Sequence, residues 1–286
     1  MITATKISEV RAAVREWKQQ GFTVGLVPTM GYLHDGHASL VDCASSMCDK
    51  VVVSDFVNPT QFSPADDLEA YPRDFEHDCE ILRKHNCDMV FYPSVDEMYS
   101  DGNGKTDTYV EILNDMTSQL CGKSRPGHFR GVCTIVAKLF NIVTPDKAFF
   151  GEKDAQQLAV IRRMTRDMSY GIEIVGCPIV READGLAKSS RNTYMNTDER
   201  KAAQVLYKAL QAGKNAIDAG ATDSNKVTGI IQQVIDAEPM AVTDYVSVVD
   251  GITMMPADEI SDGTLIAIAV YIGKTRLIDN FTYHSR

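Results

Sequence analysis

Little in this chain of 286 residues speaks for a membrane, an export route or a nucleic acid. No apolar run approaches the roughly 18 to 20 residues of a membrane span. The opening stretch, MITATKISEVRAAVREWKQQ, places charges at helical spacing and contains no apolar signal-peptide core. Positive charge is scarce: 29 Lys and Arg stand against 39 Asp and Glu, a formal net charge of −10. A general binder of nucleic acid or anionic membrane needs a basic face, so neither is an expected partner. Any anionic ligand must be held by local cations. The seven cysteines form no CxxC pair, and an odd number in a chain of this length does not make a disulfide framework. Free thiols in a reducing cytoplasm are expected. Internal repeats and low-complexity tracts are also missing.

What is present is an ordinary globular balance, 44% apolar and 24% charged, in a chain long enough for one large or two modest domains. Over the first 175 residues, short β-branched runs alternate with helical periodicity. Phe22 to Val27, KVVVSDFV (50–57), DMVFY (88–92), KAFF (147–150) and IEIV (172–175) read as strands. Residues 36–48, 72–86, 131–143 and 154–168 read as helices. The third helix is the firmest, with Val132, Ile135, Val136, Leu139, Phe140 and Val143 on one face and Pro145 as its stop. Such alternation predicts an α/β fold with a parallel sheet wound on both faces. Residues 94–128, with the polar loop SDGNGKTDT, break the rhythm as an insertion. A polar linker from about 177 leads to helices near 197–219 and 223–237. The strands DYVSVVD, TLIAIAVYI and RLIDNF follow. The expected division is a domain over 1–176 and a smaller α+β domain over 177–286.

Ligands of parallel sheets lie beyond the carboxyl ends of the strands, so the segments after each strand carry the candidate chemistry. VPTMGYLHDGHASL (27–40) puts His34 and His37 on the first turn of a helix, where exposed N–H groups and the helix dipole attract anions. A metal site, an acid/base pair and a phosphate cradle are all compatible with two histidines. Asp35 does not share their face, and no HExxH is present. FVNPTQF (56–62) offers Asn58 and Gln61, suited to a hydroxyl- and carbonyl-bearing substrate, although Asn-Pro also forms turns. FFGEKDAQQL (149–158) brings Lys153 to another helix start and Gln157 one turn in, with N-capping by Asp154 as the plainer alternative. LAKSSRN (186–192) packs two cations and two hydroxyls into a loop that is either a phosphate cover or a solvated hinge. CGKSRPGHFRGV (121–132) holds Lys123, Arg125, His128 and Arg130, either facing an anion or facing solvent.

Together, PTMGYLHDGHASLV, FVNPTQF, YPRDFEHD, RPGHFRGVCTIVAKLFNIVTPDKAFFGEKDAQQL and READGLAKSSRN resemble the pantothenate synthetases, also called pantoate–β-alanine ligases. These belong to the HxGH nucleotidyl-transfer group of folds. The resemblance spans residues 27–192 and is weak beyond. It implies a Rossmann-like ATP- and pantoate-binding domain, a smaller carboxyl-terminal lid and a cytoplasmic homodimer. It implies that ATP and pantoate give pantoyl-adenylate and pyrophosphate, and that β-alanine then releases pantothenate and AMP, with Mg2+ accompanying the ATP. By motif, Met30, Gly31, Tyr32, Leu33, His34, Asp35, Gly36 and His37 would hold ATP, with both histidines on its phosphates and His37 as proton donor. Gly151, Glu152, Lys153, Asp154, Val180, Lys188, Ser189, Ser190 and Arg191 would complete the ATP site. His34, His37, Lys153 and Arg191 would carry the catalysis, while Gln61, Gln157 and Asn58 would bind pantoate and β-alanine. Asp88 and Asp154 are candidate magnesium ligands. Three positions depart from the family's habit: Tyr32 where a small residue is frequent, Lys188 where an apolar one is usual, and Asp55 where an apolar one is common. A buried Asp55 needs a partner. The rival readings are a nucleotidyltransferase with a phosphorylated acceptor and an ATP-binding module without catalysis.

Overall fold

The chain folds into a six-stranded parallel sheet with helices, followed by a three-stranded antiparallel sheet. The computed structural model describes residues 1–62, 68–69, 71–99 and 106–285. Backbone contacts divide it into two units. The first comprises Met1–Leu113, Arg125–Glu152 and Val160–Pro178, and the second Asn114–Ser124, Lys153–Ala159 and Ile179–Arg286.

The parallel strands are β1 (Ile2–Ala4), β2 (Val24–Thr29), β3 (Lys50–Asp55), β4 (Met89–Phe91), β5 (Lys147–Gly151) and β6 (Glu173–Cys177). Their spatial order is β1-β4-β3-β2-β5-β6. From β2 the chain winds outward to β3 and β4 on one side and to β5 and β6 on the other. The winding therefore reverses between β2 and β5, and such a switch point is where doubly wound sheets bind ligands. Two details differ from the sequence expectation. The edge strand β1 hides in three residues ahead of the helix Ile7–Gln19, too short for a periodicity. Strand β2 runs through Pro28 to Thr29. Neighbour β5 pairs only with Gly25 and Leu26, while β3 pairs along the whole strand, so Pro28 has a ladder neighbour on one side alone.

Helices follow the strands at Asp35–Met47, Phe75–Lys84, His128–Val143 and Ala155–Asp167. His128–Val143 begins three residues before the expected start, because Gly127 takes a left-handed conformation (φ 82°) at its N-cap. Val132, Ile135, Val136, Leu139, Phe140 and Val143 are all buried, each stabilising by about 1.5–3 kcal/mol. The core beside β2 and β3 joins Val27, Leu40, Val41, Val51, Val53 and Leu82. The polar loop expected after residue 99 falls largely on residues 100–105, outside the described residues.

In the second unit β7 (Ala241–Asp250), β8 (Thr264–Ile272) and β9 (Thr275–Thr282) form an antiparallel meander. Helices Gln204–Asp218 and Ser224–Asp236 share its core through Leu206, Leu210, Val227, Ile231, Ile266 and Ile268. Asn114–Ser124 and Lys153–Ala159, which a linear reading gives to the first domain, group here for a polar reason. Buried Gln156 accepts from the Cys121 N–H (3.0 Å) and donates to the carbonyls of Met116 and Gln119 (2.9 and 2.8 Å). Ser124 donates to Asp244, and Cys121 lies 3.3 Å from the Tyr245 hydroxyl.

Candidate active site

The histidine pair stands at the carboxyl end of β2, one strand from the switch point. Between strand and helix the backbone makes a tight left-handed turn, with Gly31 at φ 80° and Tyr32 at φ 51°. Glycine is required at the first position: a Cβ on Gly31 would lie 2.3 Å from the Asp55 carboxyl. Tyr32 carries a Cβ in the same region, at a cost of about 1–2 kcal/mol. Asp78 holds that strain, accepting from the Tyr32 N–H at 2.7 Å and the Leu33 N–H at 2.6 Å.

His34 is the N-cap of helix Asp35–Met47 and His37 is its third residue. His34 Nδ1 accepts from the Gly36 N–H (3.1 Å), and His37 Nδ1 accepts from the His34 N–H (3.3 Å). The rings lie 4.1 Å apart. Acceptance at Nδ1 fixes the neutral tautomer that carries its proton on Nε2. Both imidazoles are thus prepared as Nε2–H donors at a helix N-terminus, an arrangement suited to phosphate oxygens. It does not suit two imidazoles ligating one metal through Nδ1, and among the described residues no cluster of three or more His, Cys, Asp or Glu is positioned for a metal.

The segment after β3 is organised around Asn58, which is 1% exposed. Its amide donates to Gln61 Oε1 (3.1 Å) and the Gly131 carbonyl (3.3 Å), and its oxygen accepts from the Tyr99 hydroxyl (2.6 Å). Both amide donors are thus taken up by protein partners, one of them Gln61. Gln61 donates to Met30 Sδ (2.8 Å), so the glutamine lies against the start of the Met30–Leu33 turn. His128 Nδ1 lies 2.8 Å from the Gln61 carbonyl and its Nε2 3.1 Å from Arg125. Donation by Arg125 makes His128 a donor to that carbonyl. Of the expected basic patch, His128 and Arg125 brace Gln61, while Arg130 stacks on Tyr109 (4.6 Å). Lys123 belongs to the other unit.

Gly151 ends β5 and Glu152 follows it in the first unit, and Lys153 begins the second unit's share. Lys153 has its carbonyl held by Asn280 (2.8 Å) and its ammonium 3.9 Å from Asp154. Gln157 is half-buried next to the structurally committed Gln156. The LAKSSRN stretch is the return limb of a small hairpin in which Arg181 bridges Ala187 and the Lys188 N–H donates to the Val180 carbonyl (2.9 Å). Ser189 caps the 3-10 turn Ser190–Tyr194 by accepting from the Arg191 N–H. Arg181 grips buried Asp279 with two bonds (2.6 and 3.0 Å), and Arg200 grips Glu182 and Asp184. The loop is therefore anchored at both limbs. Asp88 lies at the amino end of the sheet, paired with Lys50 (2.8 Å) and the Val51 N–H. It is remote from the strand ends that carry the site and drops out as a magnesium candidate.

Local pattern singled out the histidines, Gln61, Lys153 and, within the basic patch, His128. It missed the supporting contacts of Asp78, Tyr99 and His128, whose partners lie 41 to 67 residues away in sequence.

A doubly wound parallel sheet with an HDGH helix start beside its switch point defines a nucleotide-handling α/β enzyme of the HxGH class. The family profile described as Pantoate-beta-alanine ligase matches residues 2–282. The chain is 54% identical over 283 residues to a pantothenate synthetase of Enterococcus faecalis, covering 99% of both chains. The pantothenate synthetase structure from Thermus thermophilus superposes with a TM-score of 0.93 at 43% identity over the whole of both chains. A pantoate-beta-alanine ligase from Francisella tularensis, solved with beta-gamma ATP and beta-alanine, gives 0.80 at 35% identity, covering 99% of this chain and 97% of that one. The chain belongs to the pantoate–β-alanine ligase family, and its activity is the ligation of pantoate to β-alanine.

Proposed function

We propose that the chain joins the two substrates in two steps on ATP. Pantoate's carboxylate attacks the α-phosphorus, giving pantoyl-adenylate and pyrophosphate. The β-alanine amine then attacks the acyl carbon, giving pantothenate and AMP. The observation that carries this reading is the pair of Nε2–H imidazoles at a helix N-terminus, with Gln61, beyond the adjacent strand β3, fixed against Met30. Both reactants of the first step are anions, so catalysis consists of alignment and charge stabilisation. His34 and His37 donate to the phosphates, His37 toward the charge that grows on the leaving pyrophosphate. Lys153, Lys188 and Arg191 add cations, and Ser189, Ser190 and Val180 contribute loop contacts to ATP. Gln61 and Gln157 bind pantoate, and Asn58 acts by holding Gln61. Mg2+ accompanies the ATP, carried by its phosphates. In this reading residues 1–176 bind ATP and pantoate, residues 177–286 form the lid, and the enzyme works as a cytoplasmic homodimer.

Replacing His37 or Lys153 by Ala lowers the single-turnover rate of pantoyl-adenylate formation by on the order of 10²-fold, the scale for losing one preorganised charge stabiliser. Adenylate formation at the parent rate in either variant refutes the assignment.

A further inference from the structure

Two carboxyl groups lie buried beneath the Met30–Leu33 turn. Asp55 ends β3 and is 4% exposed; Asp78, on helix Phe75–Lys84, is 1% exposed. Both crowd the same Gly31 position, and two buried carboxylates so close repel each other, which favours a proton on one of them. Asp78 is already the acceptor for the Tyr32 and Leu33 N–H groups. Asp55 has no such donors, and its Oδ2 is buried with no hydrogen-bond partner among the described residues. The turn presses on both groups: a Cβ on Gly31 would meet Asp55 Oδ1 at 2.3 Å and Asp78 Oδ2 at 3.3 Å.

We propose that Asp55 and Asp78 share one proton and form a positioning pair, in which protonated Asp55 donates to ionised Asp78 and Asp78 holds the Met30–Leu33 turn that sets His34 and His37. The second half of this statement rests on the reading that the turn handles ATP.

The division of labour follows from the surroundings. Burial, and then the charge of Asp78, lifts the Asp55 carboxyl from 3.8 to about 7. Burial also raises Asp78, but the N–H groups of Leu33 and Tyr32 and the bond from Asp55 oppose it, and His77 favours its anion. Arg73, Asp74 and Tyr92 line the cavity of about 200 Å3 that reaches the pair. Cys79 stays a thiol, its ionisation raised first by burial, with Arg83 opposing. The folded chain therefore keeps the Asp55 proton up to about pH 7, while the unfolded chain releases it near 3.8. Between these values the folded state binds more protons, so this group's share of stability falls as pH rises and levels off above about 7. Above that pH two anions oppose each other under the turn, and the turn loosens.

Asp55→Asn tests this directly, because its amide N–H donates to Asp78 with no titrating proton. Asp78→Asn is the counterpart, offering one oxygen and an unwanted NH2 to two backbone donors. Without nucleotide, the thermal midpoint of the parent chain falls relative to that of Asp55→Asn between about pH 4 and about pH 7, since the other carboxyls titrate alike in both. With substrates, the parent's KM for ATP climbs above about pH 7, by up to about tenfold per pH unit, while kcat moves less. Asp55→Asn abolishes the climb, and Asp78→Asn raises the KM at every pH. Coincident pH profiles for the parent and Asp55→Asn overturn the proposal, as does an Asp78→Asn variant as benign as Asp55→Asn. The thermal curves contain no nucleotide and report on the shared proton alone. A mistaken ATP reading shows itself separately, as a normal adenylation rate in His37→Ala.

Discussion

Gln61 shows how much a single side chain depends on distant ones. Its amide faces Met30 Sδ, its oxygen accepts from Asn58, and its carbonyl accepts from His128. A group held at three points is preorganised for a polar ligand, and the entropy of ordering it is spent before binding. Replacing Gln61 by Ala removes ground-state contacts to pantoate, so the KM for pantoate rises by about tenfold or more, the worth of one or two hydrogen bonds. The KM for ATP moves much less. Steady-state kinetics with each substrate varied decides this, and an effect confined to ATP contradicts the pantoate assignment. The histidines, Lys153 and Gln61 were legible from sequence because each follows a strand in a short pattern. Asn58 was legible as a residue but not in its contacts, since Tyr99 and Gly131 reach it from elsewhere in the chain. Asp55 stood out as a carboxyl in an apolar run, yet its partner Asp78 could not be read from spacing.

At the scale of elements, helix His128–Val143 is what holds residues 58–61 in place. Its amphipathic face was plain in the sequence. Gly131 on it was not, because the need for glycine arises from another strand's loop. A Cβ there would lie 2.3 Å from the Thr60 carbonyl oxygen and 2.5 Å from Gln61 Cα, both backbone atoms. Gly131→Ala must push residues 59–61 aside at a cost of about 1–3 kcal/mol. The expected outcome is a lowered thermal midpoint together with a raised KM for pantoate. An unchanged midpoint and KM would show that the segment yields freely and that the close approach has no role. The element boundaries that pattern missed share this origin: β1 is fixed by pairing with β4, and β2 passes through Pro28 because β5 stops short of it.

For the whole molecule, the parallel sheet wound on both faces follows from alternation, and the sequence pointed to it; the strand order is set by pairing. The composition of the second unit does not follow from chain order. It gathers Asn114–Ser124 and Lys153–Ala159 with Ile179–Arg286 through the bonds of Gln156, Asp244 and Tyr245, partners that no local window contains. On the proposed two-step reading, pantoate is activated before it meets the amine. The most direct test is exchange of labelled pyrophosphate into ATP by the intact protein. The account predicts exchange that requires pantoate and proceeds without β-alanine. Exchange that ignores pantoate, or no exchange in its presence, contradicts it.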